Sequence, residues 1–202
     1  LKKVFYFDEQ YFCKSYECIS KEDRISLIEE AELYLKTHRK IGEIHPPIMA
    51  EKFFTKKLLE KNCWKHLTTK VVAEVTEYSK TYLNVTPKFE SCWINKVGSY
   101  GDEDIKNTLY FDEDVQSYTD NHYHSHHDGQ IISCIFYLQN PDKKYGTLVR
   151  TKNGSIVLDG TENSLTIFDP RLHHTSVTPN SEVTSVYPRY VIIMSFIKKE
   201  GS

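Results

Sequence analysis

Residues 121–139 read NHYHSHHDGQIISCIFYLQ, and the fold class follows from how this stretch divides. Asp128-Gly129 is a turn signal. After it, Ile131 to Leu138 is the longest apolar-like run in the chain, and even this contains Ser133. A membrane-spanning helix needs about 20 such residues, so the run reads as a buried strand. Before the turn, Asn121–His127 reads as a further short strand. Similar runs follow Pro87: Phe89–Val97, Gly146–Thr151, Ser155–Leu158, Ser164–Phe168, Thr175–Thr178 and Tyr190–Ile197. Asn140-Pro141, Asn153-Gly154, Asp159-Gly160 and Pro179-Asn180 punctuate them. About eight short strands with such turns predict a mainly β jelly roll, a cupin-like double-stranded β-helix.

Upstream the spacing is helical. Residues 1–20 read as a strand or loop entering the fold. Ser20 reads as an N-cap, with Glu22 and Asp23 in the first turn of a helix that reaches about Thr37. Further helices are expected over Met49–Asn62 and Trp64–Leu83. The expected organisation is one domain, residues 1–202. Residues 1–87 are mainly helical support, and residues 88–198 form the β-helix core. The helical region 20–83 is expected to buttress the core, with a dimer surface as its alternative use.

Composition narrows the function classes. The 202 residues are 39% hydrophobic and 27% charged, with a net charge of −2 from 26 basic and 28 acidic residues. Such a balance offers no basic footprint for nucleic acid and no polybasic run for a membrane. Five scattered cysteines, an odd number, are not a disulfide framework. No secretory leader is visible in Leu1–Tyr11. The expectation is a reducing, cytoplasmic setting. The segment Gly101–Asp120 holds seven acidic residues against Lys106, with Tyr110, Phe111 and Tyr118. It reads either as a solvated loop or as a lid over a site.

Nine histidines are the unusual feature, and six of them fall in two groups: His122, His124, His126 and His127, then His173 and His174. On a strand, residues two apart share a face, so His126 and Asp128 can meet one metal ion. His174 follows another strand-like run. Two histidines and a carboxylate form the facial set suited to non-haem Fe(II), leaving neighbouring coordination positions open. The pairs His122/His124 and His124/His126 have the same spacing, and His173 is an alternative to His174. Arg189 opens the apolar strand Tyr190–Phe196. A guanidinium there reads as a structural salt bridge or as a clamp for a carboxylate. Tyr137, on a face with Ile131, Ser133 and Ile135, reads as core with a contact to the same carboxylate.

Taken in order, these residues resemble the Fe(II)/2-oxoglutarate-dependent dioxygenase superfamily, in the style of its prolyl and lysyl hydroxylase branch. The resemblance covers about residues 89–198. It rests on Trp93-Ile94-Asn95, on His126-His127-Asp128, and on the core strand from Ser133 to Leu138. It continues through Gly146-Thr147-Leu148, the approach Phe168 to His174, and Arg189-Tyr190. The interval from His174 to Arg189 is longer than the family pattern. The resemblance implies Fe(II) held by His126, Asp128 and His174. It implies 2-oxoglutarate bound with Arg189 and Tyr137, O2 as oxidant, and hydroxylation of an unactivated C–H bond coupled to succinate formation. The substrate would be a small molecule or a protein or peptide side chain, prolyl among them. Two other readings use the same residues: a cupin-like zinc or manganese protein without 2-oxoglutarate turnover, and a plain interaction domain.

Overall fold

The structure is a computed structural model that describes residues 1–38, 40–41, 48–50, 52–97, 129–177, 179 and 181–199. The expected strand 121–127, the acidic segment 101–120, and His122, His124, His126, His127 and Asp128 lie outside the described residues.

The chain opens with a hairpin, β1 (Lys2–Phe7) and β2 (Gln10–Tyr16). Asp8 and Glu9 join the two strands at φ 50° and 66°, the left-handed pair that a tight two-residue hairpin turn requires. Helix α1 (Lys21–His38) follows. The Ser20 hydroxyl caps it by accepting the Asp23 N–H at 3.0 Å. Two short strands come next, β3 (Lys40–Ile41) and β4 (Ile48–Ala50). Helices α2 (Lys56–Leu59) and α3 (Asn62–Tyr78) are followed by a π-helical turn, Ser79–Leu83, which ends at left-handed Asn84. The core strands are β5 (Pro87–Val97), β6 (Gln130–Gln139), β7 (Thr147–Thr151), β8 (Gly154–Leu158), β9 (Ser164–Phe168) and β10 (His173–Ser176). Helix α4 (Ser181–Val186) leads into β11 (Arg189–Lys198).

One helix expected from the sequence is absent in that form. Residues 49–62 begin as β4, whose Ile48, Met49 and Ala50 pair with Lys96, Asn95 and Ile94 of β5. Helix begins only after Thr55, whose side chain accepts the Leu58 N–H. An open sheet edge offers the backbone hydrogen bonds that a first helical turn would have to leave unmade. The N-terminal segment therefore supplies strands at both edges of the sheet as well as helices.

The strands form two antiparallel sheets, one of eight in the order β1-β2-β9-β6-β11-β5-β4-β3 and one of three in the order β10-β7-β8. From β5 onward the chain winds between the sheets as a double-stranded β-helix. The central strands of the large sheet are buried on both faces. Cys134, Phe136, Ile192 and Met194 face Leu27, Ala31 and Leu35 of α1 and Leu67, Val71 and Val75 of α3. The alternate residues Ile135, Tyr137, Val191 and Ile193 meet Val149 and Leu158 of the small sheet. Ile131, expected to share Tyr137's face, packs against the helix-side core instead. The register between β6 and β11 shifts at that end, between Phe196 and Ile197.

Across the helix-side face, Cys13, Ile167, Cys134, Met194 and Cys92 form one rung through successive strand pairs. Each of these cysteines is two strands from the next, about 10 Å. That is beyond disulfide reach, and all five cysteines are free thiols.

Helix α1 is also pinned by polar contacts. Glu32 accepts from Lys96 Nζ of β5 at 2.5 Å and from the Tyr190 hydroxyl of β11. Burial pushes the Glu32 carboxyl up, but hydrogen bonds from Lys96 and Tyr190 outweigh it and hold the group below its usual 4.5. A depressed carboxylate stabilises the fold above its unfolded-state value, and that contribution is lost as pH falls. Glu32→Gln should lower unfolding free energy by about 1–2 kcal/mol at pH 7. It should also flatten the loss of stability below about pH 4.5. Urea titrations at pH 7 and pH 3.5 measure both effects.

Candidate active site

The two sheets of the β-helix enclose a cleft lined by Trp93, Asn95, Ser133, Ile135, Thr147, His174, Thr175, Ser176, Arg189, Val191 and Ile193. His174 and Arg189, two of the residues singled out in the sequence, meet here. They come from different sheets, β10 and β11.

His174 reaches the cleft by strand alternation. β10 pairs with β7, with His174 opposite Val149. His174 is buried, and His173 is exposed. The turn before β10 is tied by Asp169, which accepts the Arg171 backbone N–H at 2.9 Å and its guanidinium at 2.6 Å. The His174 ring packs edge-on against Phe168 at 5.0 Å, and its Nδ1 lies 2.7 Å from the Leu172 carbonyl. A carbonyl only accepts, so Nδ1 carries the proton and Nε2 carries the lone pair. That tautomer, with its ring held by a backbone carbonyl, is the form in which histidine binds a metal. Of the residues expected to complete a metal set, His126 and Asp128 lie outside the described residues.

Arg189 stands at the start of β11 and is 3% exposed. The long interval before it is taken up by α4. Its guanidinium carbon lies 5.7 Å from the centre of the Tyr137 ring. Among the described residues no carboxylate pairs with it, and its Nε is buried without a hydrogen-bond partner. Burial pushes its pKa down to about 10. The described residues supply no structural salt bridge for it, one of the two readings of this residue. A buried guanidinium beside an open cleft is a built receptor for an anion.

Tyr137 is fully buried under the cleft rather than on its wall. Its hydroxyl is 2.8 Å from Thr147 Oγ1 of β7. Burial pushes the phenol up to about 12, so it stays protonated at neutral pH. On the same ring sits a second cation, Lys14 of β2, at 5.1 Å. Lys14 is neutralised by Asp159 at 3.1 Å and also donates to Thr166 Oγ1 at 3.4 Å. Of the three buried cations among the described residues, Lys14, Lys96 and Arg189, the first two have carboxylate partners and Arg189 has none there. The Lys14–Asp159 pair escaped the sequence reading. The signal was a lysine two residues from Phe12 on one strand face.

No protein-family model and no curated protein matches the sequence. Solved structures do match the fold. The non-heme alpha ketoglutarate dependent epimerase of nogalamycin biosynthesis superposes with a TM-score of 0.61 at 9% identity, over 93% of this chain and 77% of that one. A prolyl-4-hydroxylase of Pseudomonas putida gives 0.58 at 10% identity, over 93% and 92%. A viral collagen prolyl hydroxylase from Paramecium bursaria Chlorella virus-1, solved as its 2-oxoglutarate complex, gives 0.56 at 12% identity, over 94% and 96%. The fold is that of the Fe(II)/2-oxoglutarate oxygenases. At these identities the likeness speaks for architecture, and chemistry has to be argued from the side chains.

The unpaired charge has a measurable consequence. Arg189→Met removes a buried cation without leaving a buried anion behind. It should raise the unfolding free energy of the ligand-free protein by about 1–2 kcal/mol, read in a urea titration. Lys14→Met instead removes a cation already compensated by Asp159 and bonded to Thr166, and should lower it.

Proposed function

We propose that this protein is an Fe(II)- and 2-oxoglutarate-dependent dioxygenase that hydroxylates an unactivated C–H bond. The observation that carries this reading is the meeting of His174 and Arg189 in one cleft of a β-helix. One is a histidine in metal-binding tautomer, and the other is a buried guanidinium with no counter-ion among the described residues.

In this reading His174 supplies one ligand through Nε2, and His126 and Asp128 supply the other two. Two neutral imidazoles and one carboxylate leave a divalent ion partly uncompensated, which suits an anionic cosubstrate. Arg189 holds the far carboxylate of 2-oxoglutarate with two parallel N–H donors. Tyr137, braced by Thr147, supports the guanidinium from below. Iron held by these residues would supply O2 activation, with one oxygen atom accounted for in the conversion of 2-oxoglutarate to succinate and CO2 and the other in the alcohol product. The aliphatic residues Ile135, Val191 and Ile193 line the cleft, which limits water access. A cupin-like protein that only binds metal has no use for the unpaired guanidinium.

The substrate is a small molecule or a protein or peptide side chain, and a prolyl-hydroxylase-like reaction is the one suggested by two of the superposed structures. No helix among the described residues is long and apolar enough to cross a membrane.

The test is succinate formation from 2-oxoglutarate with added Fe(II) under air. His174→Ala and Asp128→Ala should each abolish it. Arg189→Met should raise the KM for 2-oxoglutarate about 100-fold, the loss of a charge-assisted pair contributing about 3 kcal/mol. Normal turnover in both ligand variants would overturn the assignment.

A further inference from the structure

A second polar feature begins at the cleft and continues into the neighbouring strand. Ser195 of β11 pairs with Ser91 of β5 on one side and with Ser133 of β6 on the other. The next residue along this rung is Phe168, opposite Ser133, and its ring supports His174. Ser133 and Ser195 are 1% and 0% exposed. Among the described residues neither hydroxyl has a hydrogen-bond partner; Ser133 lines the cleft, and Ser195 sits behind it on the adjacent strand. The neighbouring cleft-side positions of the same strands hold Ile135 and Ile193, so aliphatic residues fit this face. A buried hydroxyl without a partner costs stability. Two of them side by side call for a ligand rather than a packing explanation.

We propose that Ser133 and Ser195 form a hydrogen-bonding subsite for a neutral carbonyl oxygen of the substrate, an amide carbonyl in class. This rests on the oxygenase reading above. Directly opposed residues on neighbouring strands have their Cβ atoms about 5 Å apart. Two hydroxyls at that spacing can both donate to one oxygen placed between them, and a carbonyl oxygen has two lone pairs to receive them. A carboxylate does not suit the position, since two neutral donors in a fully buried place do not offset the desolvation of a charge. The serines are also distinct from the anion site. The Arg189 guanidinium lies over Tyr137, and Ser133 is four residues away on the same strand, about 13 Å. A five-carbon diacid is about as long as two extended residues, roughly 7 Å. The serine pair is thus left to the second substrate.

The full chain is tested in two ways. Ligand-free Ser133→Ala and Ser195→Ala should each melt about 2–4 °C higher than the parent, because an orphan hydroxyl is removed. Melting lower by a similar amount would mean that the hydroxyls are satisfied within the fold, and would overturn the proposal. N-methylacetamide, titrated by ligand-detected NMR, should bind the parent, bind each alanine variant at least tenfold more weakly, and be matched by neither acetate nor ethanol. Equal amide binding by parent and variants, or equal binding of acetate or ethanol, would overturn it too. 2-Oxoglutarate binding, measured alongside, should be the same in the parent and both variants. If the parent itself fails to bind 2-oxoglutarate, the oxygenase reading has failed, and the amide titration still judges the serines.

Discussion

Strands β6 and β11 must satisfy two interiors at once, and most of the molecule is arranged around that demand. From Ile132 on, their even-numbered hydrophobic residues lie under α1 and α3, and Ile135, Tyr137, Val191 and Ile193 face the small sheet. A one-residue slip would exchange the two sets. Register is therefore held hard, by pairing on both sides of β11 and by the Glu32–Lys96–Tyr190 contact that fastens α1 to the same strands. A cleft built on such strands has walls that cannot drift. This is what lets a polar group such as Arg189 keep its place without a protein partner.

Charge inside the fold is distributed unevenly. Lys14 is buried and paired with Asp159. Arg189, on the same tyrosine ring, is buried with no carboxylate partner among the described residues. Both guanidinium and ammonium lose hydration on burial, but only one recovers it from the protein itself. On the proposed function, that difference would separate a structural cation from a binding one. The serine pair repeats the theme in neutral form, with hydrogen-bonding capacity held in reserve where aliphatic side chains would pack. In each case stability is given up at a point that faces the cleft.

Much of this could be read without coordinates. Seven of the eight expected β runs after Pro87 fall among the described residues, and each is a strand within about two residues of its expected limits. Strands buried on both faces read as nearly unbroken apolar runs, as β6 and β11 do. The helix starting after Ser20 was legible from its cap. The run 49–62 was not, since its apolar spacing suits a helix and only the neighbouring β5 edge converts its start into a strand.

His174 and Arg189 were legible as candidates, because histidine and arginine at strand positions carry their chemistry with them. Between His173 and His174 spacing did not choose, and only the family resemblance favoured His174. Sequence leaves two adjacent imidazoles equivalent, and the pairing of β10 with β7 turns one inward and the other to solvent. Sequence alone therefore determined the strand pattern and the types of group available. Tertiary structure decided which of them face one another, that Arg189 goes unpaired while Lys14 does not, and that three serines from distant positions share a rung. The reason is physical: side-chain chemistry and periodicity are local properties, whereas charge compensation and hydrogen-bond satisfaction depend on neighbours that only the pairing of remote strands brings close.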